Sequence, residues 1–397
     1  MEWGALVRLA ARNERITPFM VMELLARAQA LESQGRSIIH MEIGEPDFPA
    51  PGPVVEAGIR ALARGKLGYT PAAGLPALRQ AIADHYDRRY GVAVPWERVF
   101  VTPGASGAFV LALALLVEAG DRVLMTDPGY PCNRNFVHLH EGEPVLVPVG
   151  GDSNFHLTPE QVEAYWTEGT RGVWIASPGN PTGTVMEPGQ LEAVCEVVGR
   201  KEGFILSDEI YHGLEYGGIT CATALQFTPE AFVVNSFSKY FGMTGWRLGW
   251  LIVPEGAVDA AMRLIQNLFI AAPTPSQYAA LAAFLPESRK LLEQRRREFE
   301  LRGEYLYHAL IEEGFGISSR PEGAFYLYVD CARFDADCDR FCRDLLEQAG
   351  VAITPGLDFG RRQANTRLRF AYTTSLENLK EGVMRIHRFL QRRPKKS

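Results

Sequence analysis

The sequence is poor in cysteine, and the few cysteines it has do not form a recognisable pattern. The 397 residues contain six of them, scattered along the chain: Cys132, Cys195, Cys221, Cys331, Cys338 and Cys342. Cys338 and Cys342 stand four residues apart on a predicted helix, but no histidine or further cysteine completes metal-ligand spacing. This pattern excludes a disulfide framework. We therefore expect free thiols, no metal and a cytoplasmic location.

Long apolar runs and an excess of one charge are also missing. No run approaches the roughly 20 apolar residues that cross a bilayer, and residues 1–9 lack the features of a secretory signal. The 47 acidic and 41 basic residues are spread along the chain, with a net charge of −6 and no basic stripe. Such a charge pattern argues against nucleic acid as a partner. We expect no membrane and no nucleic-acid partner.

Between about residues 52 and 270, helix-like segments alternate with short apolar runs, which predicts an α/β fold with a mainly parallel sheet. The predicted strands are 122–126, 145–149, 172–176, 203–207, 231–235 and 248–253. Asp127, Ser177, Asp208 and Ser236 directly follow four of these runs. Ligands of open α/β sheets bind beyond the carboxyl ends of the strands. These four positions therefore predict a binding site.

The pattern of charged and apolar residues changes after about residue 277, which predicts a second, smaller α+β domain. A long charged helix over 289–313 is followed by an apolar run at 325–329 and further helix and strand patterns. A helix over about 20–31 is expected to join this part. We predict a large domain over 48–280 and a small domain formed by 1–47 and 281–397.

Lys239 is the residue whose surroundings say most about chemistry. It lies in SFSKYFGMTGWRLG, residues 236–249, among apolar and small side chains with an arginine eight positions on. A lysine desolvated in this way has a lowered pKa, and its free amine can attack a carbonyl. The segment therefore predicts Schiff-base chemistry.

The same segment resembles the pyridoxal-phosphate attachment signature of the class I and II aminotransferases, which have the aspartate-aminotransferase fold (fold type I). Further blocks resemble that family in the same order, so that the resemblance covers roughly residues 16–390. They are IGEPDF (43–48), GYT (68–70), TPGASGA (102–108), DPGYP (127–131), SPGNPTGT (177–184), SDEIY (207–211) and RLRF (367–370).

The resemblance implies how pyridoxal phosphate would be bound through its ring. Lys239 would hold the cofactor aldehyde and act as the catalytic proton carrier. Asp208 would pair with the ring nitrogen, and Tyr130 would stack on the ring. Tyr211 lies three residues after Asp208, on the same face of a short helical turn. By resemblance, Tyr211 and Asn180 would both donate to the phenolic oxygen.

Phosphate binding is expected at the start of a predicted helix. An apolar run over 108–117 indicates a helix whose N-terminal amides and positive dipole end would face an anion. The family resemblance assigns the phosphate to residues just before this run and in the lysine segment: Gly104, Ala105, Ser106, Ser236, Ser238 and Arg247.

Substrate and subunit contacts also follow from the resemblance. Arg369 would grip the substrate α-carboxylate, with the Gly44 backbone and Asn180 close by. Arg367 lies two residues away on the same side of a strand, so only the position in the family block favours Arg369. Tyr69 would reach the phosphate of the neighbouring subunit, which implies a homodimer with shared active sites. Ile16 is expected to line an apolar substrate pocket together with Phe19 and Tyr69.

The expected reaction is a ping-pong amino transfer between an amino acid and a 2-oxo acid. A β-elimination (C–S) lyase on the same fold would keep most of these residues and stays open as an alternative, because a fold does not fix a reaction. One aspartate-specific branch of the family has a lysine where this chain has Ser106. We therefore favour neutral or aromatic substrates over aspartate.

Overall fold

The computed structural model describes residues 8–65 and 67–393, so the first and last residues of the predicted small domain lie outside the described part. The prediction for residues 1–9 lies largely outside the described part. Helices are labelled α1 (Met20–Ser33), α2 (Gly52–Ala63), α3 (Pro76–Tyr90), α4 (Gly104–Leu116), α5 (Pro131–Leu139), α6 (Pro159–Tyr165), α7 (Pro188–Arg200), α8 (Val258–Leu268), α9 (Thr274–Leu281), α10 (Pro286–Glu312), α11 (Cys338–Ala349) and α12 (Leu376–Arg392). Within the described residues, none of these helices has the length and apolar character that crossing a membrane requires.

The strands form a large sheet and two smaller ones. They are β1 (Ile39–His40), β2 (Val99–Thr102), β3 (Arg122–Asp127), β4 (Glu143–Pro148), β5 (Thr170–Ala176), β6 (Phe204–Asp208), β7 (Phe232–Ser236), β8 (Gly249–Ile252), β9 (Gly316–Ile317), β10 (Tyr326–Asp330), β11 (Val351–Ala352), β12 (Thr354–Pro355) and β13 (Arg367–Ala371).

The seven-stranded sheet has the order β2-β8-β7-β6-β5-β3-β4. Strands β3 to β7 run parallel, whereas β8 is antiparallel to both of its neighbours. The predicted mainly parallel α/β sheet is confirmed, and its six predicted strands correspond to β3 to β8. The direction of β8 was not predicted.

Successive residues of the central strands alternate between two separate cores. In β5, Val173 and Ile175 pack in the core formed with α3 and α7, while Trp174 packs in the core formed with α4 and α8. Because side chains of a strand point to opposite faces in turn, a strand buried on both faces is apolar throughout. The sheet is therefore covered by helices on both sides.

The second unit contains the antiparallel sheet β12-β13-β10-β9 and the parallel pair β1-β11, packed with α10, α11 and α12. Ile39 of β1 pairs with Val351 of β11. This pairing places a segment before residue 48 with the C-terminal third of the chain. The boundaries at 47/48 and 280/281 themselves stay a prediction.

All six cysteines are free thiols, and all but Cys132 are buried.

Candidate active site

A cavity of about 390 Å³ opens at the carboxyl ends of the central strands. It lies where β6 and β7 end and where the second unit faces the large sheet, the position predicted for ligands of an α/β fold. Most of the residues predicted for the site line it: Gly44, Ala105, Ser106, Tyr130, Asn180, Asp208, Tyr211, Ser236, Ser238, Lys239, Arg247 and Arg369.

Lys239 lies in the connection between β7 and β8. Its Nζ donates to the Gly44 carbonyl over 2.7 Å and lies 5.8 Å from the ring centre of Tyr211 and 5.9 Å from that of Phe325. Burial lowers the pKa of Lys239 to about 8. Since desolvation disfavours the ammonium form, the free amine is more populated near neutral pH than it is in an ordinary exposed lysine.

Asp208 is the last residue of β6 and is 5% exposed. The Ile210 backbone N–H donates to it over 3.3 Å, but no lysine or arginine among the described residues forms an ion pair with it. Burial raises the pKa of this carboxyl to about 7. A cationic group bound in the cavity beside Asp208 would therefore stabilise the ionised form of this carboxylate.

Four further polar residues line the cavity: Tyr130, Asn180, Tyr211 and Tyr326. The hydroxyls of Tyr211 and Tyr326 are 2.7 Å apart. Asn180 accepts a hydrogen bond from Arg369 through Oδ1 over 3.0 Å, which leaves its Nδ2 as the donor. Tyr130 is half-buried and packs edge-on against Phe19, with ring centres 5.9 Å apart.

The start of α4 and the lysine segment form one cradle. Gly104 begins α4 with φ +72°, and a Cβ there would lie 2.7 Å from Nη2 of Arg247. Gly104 therefore allows the guanidinium to lie directly over the helix N-terminus, although Gly104 itself does not line the cavity. The Ser238 N–H donates to the Ser236 hydroxyl over 3.0 Å. Helix N–H groups, hydroxyls and a guanidinium at one place are the donors that a phosphate takes.

Arg369, on β13, is a buried cation that no acidic side chain neutralises among the described residues; it is 2% exposed. Its Nη2 donates to the Glu42 carbonyl and to Thr354, and its Nε has no partner. The guanidinium lies between the rings of Tyr326 and Phe359, 4.5 and 4.7 Å from their centres. Cation–π contacts hold it in orientation without cancelling its charge.

Besides Gly104, two predicted residues do not reach this cavity. Ile16 is partly exposed and Tyr69 is 83% exposed, and neither lines the cavity of its own subunit. Phe19, expected beside Ile16, does line it. Gly44 has a steric role as well, because a Cβ there would overlap the hydroxyl of Tyr326.

The sequence did not single out several lining residues. Tyr326 and Glu42 approach Arg369 from other parts of the chain, and an apolar wall comes from α1, α4 and α5: Val21, Met22, Leu25, Phe109 and Phe136. Apolar residues on a helix are typical of any core, so no pattern distinguished these.

Comparisons with known proteins agree with this geometry. The profile "Aminotransferase class I and II" matches residues 36–386. A valine–pyruvate aminotransferase of Mycobacterium tuberculosis is 39% identical, over 94% of this chain and 97% of its own length. An aspartate aminotransferase of Geobacillus stearothermophilus is 35% identical, over 98% and 100%. The crystal structure of an aminotransferase from M. tuberculosis superposes with a TM-score of 0.94 at 38% identity, covering 97% of this chain and 100% of that one. The chain therefore belongs to the class I and II aminotransferase family and is an aminotransferase.

Proposed function

We propose that this aminotransferase binds pyridoxal phosphate in the cavity described above and moves the amino group of a neutral or aromatic amino acid to a 2-oxo acid. Enzymes of its family use this cofactor. The residues present fit it, because the cavity holds an amine with a lowered pKa, a buried carboxylate without a cation and a cradle of anion donors. When bound, the cofactor supplies an electron-accepting ring that stabilises negative charge at the substrate α-carbon.

Four side chains would bind and orient the ring. Asp208 would pair with the ring nitrogen and keep that nitrogen protonated, and the pairing would in turn stabilise the buried carboxylate. Asn180 Nδ2 and the Tyr211 hydroxyl donate to the phenolic oxygen, and Tyr130 covers one ring face. The donors to the phosphate would be the backbone of Gly104 and Ala105 together with Ser106, Ser236, Ser238 and Arg247.

Lys239 has two tasks in this proposal. Its Nζ would hold the cofactor aldehyde, and the same nitrogen, as a free amine, would take the proton from the substrate α-carbon. A lysine with a pKa of about 8 suits both tasks, since the free amine is accessible near neutral pH. Positioned proton transfer of this kind contributes roughly 10² to 10⁴ in rate.

Arg369 would bind the α-carboxylate of every substrate. Its unpaired Nε–H and uncancelled charge, both buried, are the properties of a site that is complete only with an anion bound. Gly44 belongs to this part of the site, because its carbonyl holds Lys239 and its missing side chain leaves room for Tyr326.

The observation that carries the substrate class is the composition of the cavity wall. Among the described residues, its cations are Lys239, Arg247 and Arg369, and each has a role toward the cofactor or the α-carboxylate. The remaining wall near α1 is apolar. A second carboxylate on the substrate would therefore meet Phe19, Met22 or Phe109 and lose hydration without a partner. The name of one relative, valine–pyruvate aminotransferase, agrees with a neutral substrate. The name of another, aspartate aminotransferase, indicates an acidic substrate for that protein.

We also propose a homodimer in which Tyr69 serves the neighbouring site. Tyr69 is 83% exposed, and apolar side chains on α2 and near α8 and α9 are exposed too: Val55, Ile59, Leu62, Leu268, Ile270 and Tyr278. An exposed apolar surface of this kind is typical of a protein interface. The free thiols support a reducing compartment, the cytoplasm.

A half-reaction panel tests the substrate class and the ping-pong order. Cofactor-loaded protein is mixed with valine, alanine, phenylalanine or aspartate without any 2-oxo acid, and the released 2-oxo acid is quantified. We expect close to one equivalent per site, with valine, alanine or phenylalanine faster than aspartate. Lys239→Ala is the control and should release none. Aspartate reacting faster than all three would overturn the proposed substrate class.

A further inference from the structure

We infer that Asp127 is a positioning residue of the active site: it fixes the loop at residues 356–362 so that Phe359 holds Arg369 in place for the substrate carboxylate. This inference rests on the proposed function of Arg369. Asp127 is the last residue of β3 in the large sheet, whereas the loop lies between β12 and β13 of the second unit. The contact therefore joins the two halves of the site.

The Asp127 carboxylate is held by backbone groups of this loop. It is 5% exposed and accepts from the Arg361 N–H over 3.0 and 3.2 Å and from the Arg362 N–H over 3.2 Å. Beside it, the Gly129 N–H donates to the Phe359 carbonyl over 2.8 Å. No lysine or arginine side chain among the described residues forms an ion pair with Asp127. Because backbone N–H groups satisfy this buried charge, the carboxylate dictates where the loop backbone lies.

The loop in turn carries two parts of the substrate site. The ring of Phe359 packs 4.7 Å from the guanidinium of Arg369. The Asp358 carboxylate accepts from the backbone N–H groups of Met20 and Val21, each over 2.9 Å, and so binds the first turn of α1, which forms the apolar wall. One loop thus orients both the carboxylate-binding arginine and the wall that faces the substrate side chain.

Gly360 offers a second way to disturb the same contact. A Cβ at this position would overlap Oδ1 of Asp127, and the backbone of Gly360 is not in the left-handed region. Gly360→Ala therefore pushes the loop away from Asp127 without imposing backbone strain. Gly189, the second residue of α7, has no atom within 4 Å of the corresponding Cβ and likewise lacks a left-handed backbone. Gly189→Ala is the matched control.

The test measures carboxylate binding separately from turnover. Isovalerate, which has a carboxylate and no amine, is titrated by calorimetry into cofactor-loaded wild type, Asp127→Asn, Gly360→Ala and Gly189→Ala. Small misplacements of binding groups cost up to about a hundredfold. We therefore expect isovalerate to bind roughly ten- to a hundredfold more weakly to Asp127→Asn and Gly360→Ala. Its affinity for the control, Gly189→Ala, should be unchanged. KM should rise for all amino acids with less effect on kcat, while the cofactor stays attached. Amide exchange should accelerate at residues 361–362 and 20–21.

The outcomes separate this inference from the proposal on which it rests. Unchanged isovalerate affinity in Gly360→Ala, with faster exchange at 361–362, overturns the inference even when Asp127→Asn does not fold. Arg369→Leu is measured in the same series. Wild-type affinity in that variant would show instead that Arg369 does not bind the carboxylate, and the proposed function would fail.

Discussion

Replacing Asp208 by asparagine should stabilise the cofactor-free protein at neutral pH while weakening cofactor binding. Burial raises the pKa of this carboxyl from 3.8 to about 7. Between about pH 4 and pH 7 the folded state therefore binds more protons at this group than the unfolded state does. Stability is consequently lost as the pH rises through this window. Above pH 7, this raised pKa lowers the free energy of unfolding by at most about 4 kcal/mol.

Asparagine has nearly the same shape and no titration, so the two proteins should differ little at pH 4 and most at pH 8. The assay is the thermal midpoint of both cofactor-free proteins in buffers from pH 4 to pH 8. The difference between the midpoints should grow by several degrees with pH, in favour of Asp208→Asn. Asp87→Asn, which removes an exposed carboxylate on α3, is the control and should show no such trend. A midpoint difference independent of pH would refute the reasoning. With cofactor added, the order should reverse, because the ring nitrogen loses its counter-ion.

Four further outcomes follow from the proposed roles. Lys239→Ala should lose the borohydride-stable link to the cofactor; a link to another lysine, found by peptide mapping, would reassign the residue. Hybrid dimers of Tyr69→Phe and Lys239→Ala subunits should regain activity, because one site is intact, and no recovery in verified hybrids would place Tyr69 in its own subunit's site. Arg369→Leu should lower kcat/KM about ten- to a hundredfold for all substrates, as expected for a contact worth 1.5 to about 3 kcal/mol, whereas Arg367→Leu should change it less. Ser106→Lys should raise the ratio of aspartate to alanine half-reaction rates; an unchanged ratio would show that position 106 does not face the side chain.

The fold was predictable wherever burial leaves a pattern in the sequence. The strands β3 to β8 each contain a run of apolar residues, because helices cover both faces of the sheet, and polar or turn residues bound each run. The reversal of β8 was not predictable, since an apolar run does not reveal its direction. The two-residue strands β1, β11 and β12 are too short for any periodicity.

The site was predictable only where a motif keeps its residues together. Asp208 ends β6 and Lys239 lies three residues after the end of β7; the carboxyl ends of these strands meet at one edge, so both side chains reach one cavity. Tyr326 and Phe359, which enclose the Arg369 guanidinium, come from separate segments joined by tertiary packing. An isolated aromatic residue in the sequence does not indicate which cation it will contact.

The site contains two buried ionisable side chains, Asp208 and Arg369, that no opposite charge among the described residues neutralises. Such charges cost free energy in a folded protein, and the costs fall where the ring nitrogen and the α-carboxylate are proposed to bind. Both groups are common to every amino-transfer substrate complex, so neither charge can select among side chains. Selection must come from the apolar wall at the start of α1, whose backbone is held by Asp358. Since the loop bearing Asp358 also orients Arg369 through Phe359, substitutions in the loop should affect all substrates together. Changes of preference among neutral substrates are instead expected from the side chains of Phe19, Met22 and Leu25.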